Sequence, residues 1–266
     1  QLVNWAVAGE DRSFGYDANG RLVSSTGPWG SGSYVYDALG NMRQRNEGMS
    51  GSSTINYASN NRVSSATVNG TGRTYTYDNR GNTTSIGATG FAYDYANQPV
   101  TVTGTGAATF LYDGNFKRVK EVRAGKTIYT IYSRVTGGLL HRDQATDAIK
   151  TEYASAGGAS FRLKKTGTAA AVPEYIHADH LGSPVAATDA TGAVTWRESY
   201  RPFGKAVRIF GSAPANDNNT GFTGHLEDDA SGLVYMQARY YDPLVPRFLS
   251  TDPIGYQDQL NLYAYV

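Results

Sequence analysis

Two aspartate-proline pairs near the carboxyl end of the chain carry its clearest chemical signal. Asp242 and Asp252 each precede a proline, and Arg239 and Arg247 lie beside them in a stretch rich in aromatic residues. A carboxylate that is buried among aromatic residues needs a cationic partner, or its pKa changes. These four side chains therefore predict either an ion-paired structural corner or a site for acid-base chemistry, and both interpretations stay open.

The histidines and one serine suggest two further kinds of site. His177 and His180 lie three positions apart, but the chain offers neither a third histidine nearby nor any cysteine to complete a zinc site. Ser183, His180 and Asp189 resemble the members of a hydrolase triad, yet no nucleophile elbow surrounds this serine. We therefore predict no metal and no cofactor, and we expect His180 to pack in a turn beside Gly182.

Three consecutive acidic residues, Glu227-Asp-Asp229, form the densest cluster of carboxylates. Glycosidase chemistry needs two carboxyl groups that face each other across a cleft. Adjacent acids that are followed by Ala-Ser-Gly232 are instead typical of a hairpin turn whose charges remain in water. The sequence therefore predicts a solvated turn here.

A repeat organises the first half of the chain. Its signature is two aromatic residues two positions apart, then aspartate, then glycine three residues later. The signature tyrosines are Tyr16, Tyr36, Tyr57, Tyr77, Tyr93 and Tyr112, separated by 20, 21, 20, 16 and 19 residues. Residues two positions apart share one face of a strand, and this period suits one hairpin per repeat. We predict consecutive antiparallel hairpins over residues 12–126.

The aspartate and glycine of each repeat predict how its hairpin turns. Aspartate can accept a hydrogen bond from the backbone N–H two residues on, and the later glycine adopts a positive φ without steric cost. Asn61 and Asn97 replace this glycine in two repeats, and asparagine also tolerates the conformation. The predicted turn residues are Asp17, Gly20, Asp37, Gly40, Asp78 and Gly81.

Composition is that of an all-β protein. The 266 residues include 31 glycines and 20 tyrosines, which fits many turns joined by aromatic strands. No segment keeps a 3.6-residue apolar period, so helix should be scarce, with short helical turns near His177–Leu181. We predict a strand at Tyr129–Arg134 and an exposed loop at Arg162–Val172.

Charge and hydropathy bear on the partners. With 24 basic and 23 acidic residues the net charge is +1, which gives no reason to expect nucleic acid or an anionic membrane. No apolar run reaches the roughly 18 residues of a membrane span. Gln1-Leu-Val-Asn-Trp5 lacks the basic and apolar regions of a signal peptide. The absence of cysteine excludes disulfides and thiol catalysis.

The carboxyl-terminal third carries motifs specific enough to suggest a family. Residues 232–243 follow the pattern Gly-Leu-x-Tyr-x-x-Ala-Arg-Tyr-Tyr-Asp-Pro. They are followed by Arg247-Phe-Leu-Ser-Thr-Asp-Pro-Ile-Gly255 and preceded by Asp179-His-Leu-Gly-Ser-Pro184 and Tyr200-Arg-Pro-Phe-Gly204. This stretch resembles the Rhs-repeat-associated core domain. The Tyr-Asp repeats are similar to the Rhs repeats that precede that core in the same family.

The resemblance implies an all-β fold of stacked antiparallel hairpins that form part of a large spiralling shell. Residues 1–127 would then be the repeats, 128–175 degenerate repeats with a connecting loop, and 176–266 the core domain. In that family the shell encloses a toxin or effector polypeptide encoded after the core. The implied partners are the rest of the shell, the enclosed toxin and proteins of a secretion system or toxin complex, and the implied location is extracellular.

The resemblance also implies roles for Arg239 and Asp252. The family's core ends in an aspartyl-type self-cleavage site, where Arg239 matches the functional arginine and Asp252 the first of two catalytic aspartates. The second aspartate matches a position after Val266, so these residues alone are expected to be inactive. Pro246 stands where the family usually has glycine, and proline fixes φ in this loop.

A rival class of function stays open. The same repeats resemble those of teneurins and wall-associated proteins, which implies an extracellular adhesion or carbohydrate-binding module. A carbohydrate-binding surface predicts an exposed aromatic platform. A shell wall predicts tyrosines that pack inward and between strands.

Overall fold

The structure, a computed structural model, describes residues 4–5, 11–48, 51–156, 159–204, 206–210, 220–228, 230–257 and 261–265. Regular structure in these ranges is almost entirely β-strand, and helix is confined to short 3₁₀ turns such as Phe222–Gly224 and Gly255–Gln257. The prediction of an all-β protein with little helix is confirmed. No helix within the described ranges has the length and apolar character of a membrane span.

The chain divides into two compact units that alternate along the sequence. The first unit consists of Gln1–Ala88, Ser199–Val207 and Arg239–Val266. Its strands are β1 (Asn4–Trp5), β2 (Arg12–Tyr16), β3 (Leu22–Gly27), β4 (Gly30–Tyr36), β5 (Met42–Glu47), β6 (Gly51–Tyr57), β7 (Val63–Val68), β8 (Thr71–Tyr77) and β9 (Thr83–Ile86). Each of these strands pairs antiparallel with the next one in sequence.

The second unit consists of Thr89–Glu198 and Arg208–Ala238. It contains β10 (Thr89–Tyr93), β11 (Pro99–Thr103), β12 (Ala108–Tyr112), β13 (Arg118–Arg123), β14 (Lys126–Tyr132), β15 (Leu139–Gln144), β16 (Ile149–Ala156), β17 (Ala159–Thr166), β18 (Val172–Ala178) and β19 (Pro184–Thr188). These strands also pair antiparallel in sequence order. The stacked hairpins of both units match the predicted fold class.

The remaining strands follow β19. They are β20 (Val194–Tyr200), β21 (Ala206–Phe210), β22 (Leu226–Asp228), β23 (Leu233–Tyr235), β24 (Tyr240–Asp242) and β25 (Arg247–Phe248). In the second unit β22 forms a short antiparallel hairpin with β23, and in the first unit β24 forms one with β25. These two hairpins carry most of the motif residues of the carboxyl-terminal third.

A β-bulge lies at the signature tyrosine of each repeat. The strand register shifts at Tyr16, Tyr36, Tyr57, Tyr77, Tyr93 and Tyr112. Equivalent shifts occur at Tyr132, Ala178 and Thr188, beyond the repeats that the tyrosine spacing identified. A bulge bends its strand and increases the local twist. The same hairpin unit therefore continues well into the second half of the chain.

Alternation along the strands buries one face of the hairpins in the first unit. Each strand presents every second side chain to this face, where aromatic and aliphatic residues meet. The buried cluster consists of Tyr34, Met42, Ile55, Val63, Ala66, Val68 and Val245, with Leu22, Tyr36, Tyr57, Tyr75, Phe203 and Leu244 packed against it. Burial of each large side chain contributes about 1.5–3 kcal/mol. Val245 and Phe203 show that the carboxyl-terminal motifs complete this core.

Two local predictions need correction. The predicted exposed loop at Arg162–Val172 is confirmed only for residues 167–171, because β17 continues to Thr166 and β18 begins at Val172. Arg162 is buried because it pairs with Glu174 on the neighbouring strand at 2.5 Å. The helical turn expected near His177 is also absent from this described stretch, since β18 extends through it to Ala178. The strand predicted at Tyr129–Arg134 corresponds to β14.

Candidate functional site

The repeat turns show how the aspartate and glycine positions are used. Asp17 Oδ1 accepts hydrogen bonds from the backbone N–H of Asn19 at 3.0 Å and of Arg21 at 2.9 Å. These bonds, that of Arg21 N–H first, lower the pKa of Asp17. Gly20 has φ of 77°. Asp37 and Asp78 make the same two bonds in their turns, and Gly40 and Gly81 have φ of 81° and 93°.

The same turn recurs in motifs that the sequence did not assign to the repeats. Asp179 Oδ1 accepts from the N–H groups of Leu181 and Ser183, each at 2.9 Å. Asp189 accepts from Thr191 at 2.8 Å and from Ala193 at 3.0 Å. Both aspartates thus stabilise backbone turns with their carboxylates. This use explains why a helical turn is not found at residues 179–182, where the backbone N–H groups bond to the side chain instead.

Arg239 and Asp252 come together in the first unit. Arg239 Nη2 lies 2.5 Å from Asp252 Oδ2, and the two side chains are only 13% and 8% exposed. The guanidinium carbon also lies 3.6 Å from the centre of the Phe248 ring, so the cation stacks on an aromatic face. Because this pair is well shielded from water, removal of one partner should cost more than it does in a surface ion pair.

This ion pair is attached to the backbone near the end of the described chain. Leu262 carbonyl oxygen accepts from Arg239 Nη1 at 3.2 Å and from the Asp252 backbone N–H at 2.9 Å. Asp252 Oδ1 accepts from the Ile254 N–H at 3.1 Å. The site is therefore a carboxylate with a fixed orientation, paired with a guanidinium and held against residues 261–265.

Asp242, by contrast, has no cationic partner within salt-bridge distance among the described residues. Its Oδ1 accepts from the N–H groups of Leu244 at 2.8 Å and Val245 at 3.3 Å, and the residue is 4% exposed. Burial raises the pKa of Asp242 despite these hydrogen bonds. The four residues that the sequence grouped together thus include one ion pair, Arg239 with Asp252, and not two.

Arg247 binds amide groups. Its Nη1 donates to Asn41 Oδ1 at 2.8 Å, and its Nη2 donates to Asn61 O and to Asn261 Oδ1, both at 3.0 Å. The guanidinium also stacks over Tyr57 at 4.8 Å and Tyr263 at 5.1 Å. Arg247 therefore ties the carboxyl-terminal motif to two repeat turns, which is a structural role.

The predicted solvated turn at residues 227–229 is wrong for its central residue. Asp228 is 5% exposed and forms a bidentate ion pair with Arg123 in the second unit. Burial opposes ionisation, but the hydrogen bonds and charge of Arg123 outweigh it and lower the pKa of Asp228. Glu227 Oε1 accepts from the Phe222 N–H at 3.2 Å. Asp229 lies outside the described residues.

Arg123 belongs to a charged cluster that sequence reasoning missed. Glu121 forms ion pairs with both arginines, its carboxylate oxygens lying 2.9 Å from Arg123 Nε and 3.3 Å from Arg118 Nη2. Arg118 lies between the rings of Phe110 at 4.9 Å and Tyr235 at 4.7 Å. Glu121 and Arg123 occupy alternate positions of β13 and so share one face of the strand, where burial requires partners, and this spacing was the available signal.

The other sequence candidates do not meet. His177 Nε2 bonds to Thr188 Oγ1 at 3.1 Å, and His180 is exposed in the turn that follows β18. Ser183 is fully buried and its Oγ accepts from the Thr223 N–H at 3.0 Å. Asp189 uses its carboxylate in its own turn. Among the described residues no group of three or more His, Asp or Glu side chains is arranged to hold a metal ion.

The first unit also contains a cavity of about 580 Å³ near the Arg247 amide contacts. Its wall combines turn residues of the first two repeats with Phe203 and the carboxyl-terminal segment. The aromatic and aliphatic residues of the wall include Leu22, Tyr36, Leu39, Met42, Tyr57 and Tyr265. The sequence did not predict this cavity because it needs three segments that are distant along the chain.

Two curated relatives carry toxin or nuclease names. The first is "Double-stranded DNA deaminase toxin A" of Burkholderia cenocepacia, 39% identical over 93 residues, which covers 34% of this chain and 6% of that protein. The second is "tRNA3(Ser)-specific nuclease WapA" of Bacillus spizizenii, 28% identical over 239 residues, which covers 87% of this chain and 10% of that protein. The chain thus spans a tenth or less of the length of these relatives.

A solved structure shares the fold. The crystal structure of TcdB2-TccC3-Cdc42 superposes with a TM-score of 0.65 at 17% sequence identity, over 97% of this chain and 16% of that chain. At this identity the likeness concerns the fold alone. The Teneurin YD-shell family matches residues 3–265, which is nearly the whole sequence. The chain belongs to the Teneurin YD-shell family.

Proposed function

We propose that this chain forms part of the wall of a hollow shell that encloses a toxin or effector polypeptide. The observation that carries the proposal is where the tyrosines lie. Tyr34, Tyr235, Tyr240 and Tyr241 are each 3% exposed or less, and the signature tyrosines are largely covered. A wall needs aromatic residues that pack against its own strands, whereas a carbohydrate-binding surface needs them in water.

The exposed aromatic residues do not favour the carbohydrate-binding alternative. Tyr95, Tyr129, Tyr175 and Tyr256 are 44–101% exposed, but they come from four different parts of the chain. Single exposed aromatic residues are normal on protein surfaces. The toxin and nuclease names of the relatives support a shell that carries such a polypeptide, delivered outside the producing cell by a secretion system or toxin complex.

We infer that Arg239 and Asp252 belong to a self-cleavage site that separates the enclosed polypeptide from the wall. Hydrolysis by an aspartic dyad needs one carboxylate that takes a proton from the attacking water and one protonated carboxyl that supports the carbonyl oxygen. Asp252 offers one carboxyl group, oriented by Arg239 and the Ile254 N–H. The second would come from polypeptide that follows Val266 in a longer protein.

Two variants of the full-length protein test this site. Asp252→Asn keeps the size and one acceptor oxygen but removes the charge, so the polypeptide should remain uncut on a denaturing gel. The wall should still fold, at a lower melting temperature, because Arg239 loses its charged partner. Arg239→Ala leaves the Asp252 carboxylate without its cation, and breaking a buried pair costs about 3–5 kcal/mol. Loss of cleavage should therefore accompany a lower melting temperature in Arg239→Ala.

A matched control is Asp147→Asn, which removes an exposed carboxylate that pairs with Lys126. It should leave both cleavage and melting temperature nearly unchanged. Persistent cleavage in Asp252→Asn would show that this pair is structural only. Electron microscopy of the full-length protein tests the wall separately, because the proposal requires polypeptide density inside a closed sheet.

A further inference from the structure

The cavity of about 580 Å³ in the first unit is lined by both polar and apolar residues. Which kind of ligand it can bind depends on whether its polar groups are already hydrogen-bonded within the protein. Arg21 Nε donates to Asp17 Oδ2 at 2.7 Å, and its Nη1 donates to Asp37 O at 2.8 Å. Its remaining nitrogen, Nη2, also lies 2.7 Å from Asp17 Oδ2. Each of the three nitrogens of the Arg21 guanidinium thus has a partner within the protein.

The side-chain amides of Asn41 and Asn261 in the wall are engaged as well. Asn41 Oδ1 accepts from Arg247 at 2.8 Å and from Asn261 Nδ2 at 2.9 Å, while Asn41 Nδ2 donates to the Asp37 carboxylate. Arg247 donates to the side-chain oxygens of Asn41 and Asn261 in the wall and to the carbonyl oxygen of Asn61. A polar ligand at these groups would have to displace these bonds. The part of the wall that can receive a ligand is therefore its aromatic and aliphatic surface, which suits an apolar group.

The carboxyl-terminal segment forms one side of the same cavity. Ala264 and Tyr265 line it, and the Tyr265 ring packs against Tyr241 at 5.1 Å and Phe248 at 5.9 Å. The Ala264 N–H donates to Asn261 O at 3.1 Å. The path of the chain is thus fixed against the wall as far as Tyr265. Polypeptide joined to this segment leaves from the cavity wall, and each further residue reaches only about 3.3–3.6 Å.

We propose that this cavity holds an apolar side chain from the polypeptide that follows Val266 in the longer protein. The inference rests on the proposed function, in which the enclosed polypeptide continues from the core. The Arg239 and Asp252 pair bonds to Leu262 in the same segment. An apolar side chain held in the cavity would therefore keep the first residues of the enclosed polypeptide extended along the shell wall, beside Asp252.

Photo-crosslinking in the full-length protein tests this inference. Leu39 lines the cavity and is 68% exposed, so benzoylphenylalanine at position 39 should be tolerated. Val35 is 50% exposed, lies on the preceding strand β4 and is not part of the cavity wall, so it provides the matched control position. Mass spectrometry should map crosslinks from position 39 to the first ten or so residues after Val266, a reach of about 35 Å. Position 35 should give none there.

A second measurement does not depend on the crosslinker. Leu39→Asp should speed hydrogen exchange of the residues just after Val266 by about tenfold, which corresponds to about 1.4 kcal/mol, and Val35→Asp should not. Crosslinks from position 39 that reach only distant parts of the enclosed polypeptide, or none of it, would overturn the inference. Encapsulation itself would survive that result if the enclosed polypeptide still resists protease.

Discussion

Replacing Asp228 by asparagine should destabilise the protein strongly, although the change is nearly isosteric. The Asp228 side chain is 2% exposed, and its carboxylate accepts hydrogen bonds from both Nη atoms of Arg123. It also accepts from the N–H groups of Ala230 at 3.1 Å and Ser231 at 3.2 Å. An asparagine oxygen can keep the backbone bonds, but its amide hydrogens would then point at a guanidinium that also only donates.

The magnitude follows from the burial of both partners. Breaking a buried ion pair from one side costs about 3–5 kcal/mol. Arg123 keeps Glu121 as a partner at 2.9 Å, so the lower end of this range applies. A chain of this size loses about 2–4 °C of melting temperature per kcal/mol. We therefore expect a decrease of roughly 6–12 °C near neutral pH.

The loss of stability in Asp228→Asn should depend on pH, whereas a loss caused by poorer packing would not. Because the folded-state pKa of Asp228 is lowered, its contribution is present above the unfolded-state pKa of about 3.9 and is lost as pH falls through the folded-state value. The melting temperatures of Asp228→Asn and the unmodified protein should therefore converge as the pH falls below about 4.

Thermal unfolding followed by far-ultraviolet circular dichroism provides the assay, with Asp147→Asn as the control. That carboxylate pairs with Lys126 at 2.7 Å, but the two side chains are 29% and 53% exposed, so its loss should cost at most about 1 kcal/mol. A decrease for Asp228→Asn no larger than that for Asp147→Asn, or one that persists unchanged at low pH, would refute the reasoning.

Two further substitutions should stabilise the protein. Burial raises the pKa of Asp242, so the folded state loses stability as pH rises from the unfolded-state pKa of about 3.9 through the folded-state value. Asp242→Asn should therefore raise the melting temperature near pH 8, with the gain disappearing below about pH 4, and a loss that grows with pH would contradict this. Phe116 is 54% exposed and has φ of 60°, so Phe116→Gly should stabilise by up to about 1 kcal/mol in chemical denaturation. Leu39 lies in the equivalent turn of another repeat but does not have a positive φ, so Leu39→Gly should destabilise the protein instead. If both glycine substitutions changed the free energy of unfolding equally, backbone strain at Phe116 would not be the cause.

The repeat pattern was sufficient to predict the hairpins and the positions of their turns, because both depend on residues close in sequence. Tyrosine spacing and the Asp-x-x-Gly pattern act within one hairpin. The bulge at each signature tyrosine was not predicted, since alternation alone does not reveal a register shift. Nor was the second backbone bond to each aspartate, from the residue four positions on, as from Arg21 to Asp17.

The charged contacts were harder to predict because their partners are distant in the chain. Arg123 and Asp228 are 105 residues apart, and nothing local distinguishes Asp228 from a solvated acid. Arg247 lay beside two aspartates in sequence but binds Asn41, which is 206 residues away. Arg239 and Asp252, which the family motif grouped, form an ion pair in the structure, and their part in cleavage stays a prediction. Register within a hairpin is local information, whereas the choice of ion-pair partner depends on the tertiary fold.

We propose that this chain is part of a shell wall and that the polypeptide attached to it lies inside the shell. Limited trypsin digestion of the native full-length protein tests this most directly, with the same carboxyl-terminal polypeptide produced alone for comparison. If the wall encloses the attached polypeptide, that polypeptide should survive as an intact band while the isolated one is degraded. Equal rates of degradation in the two samples would contradict it.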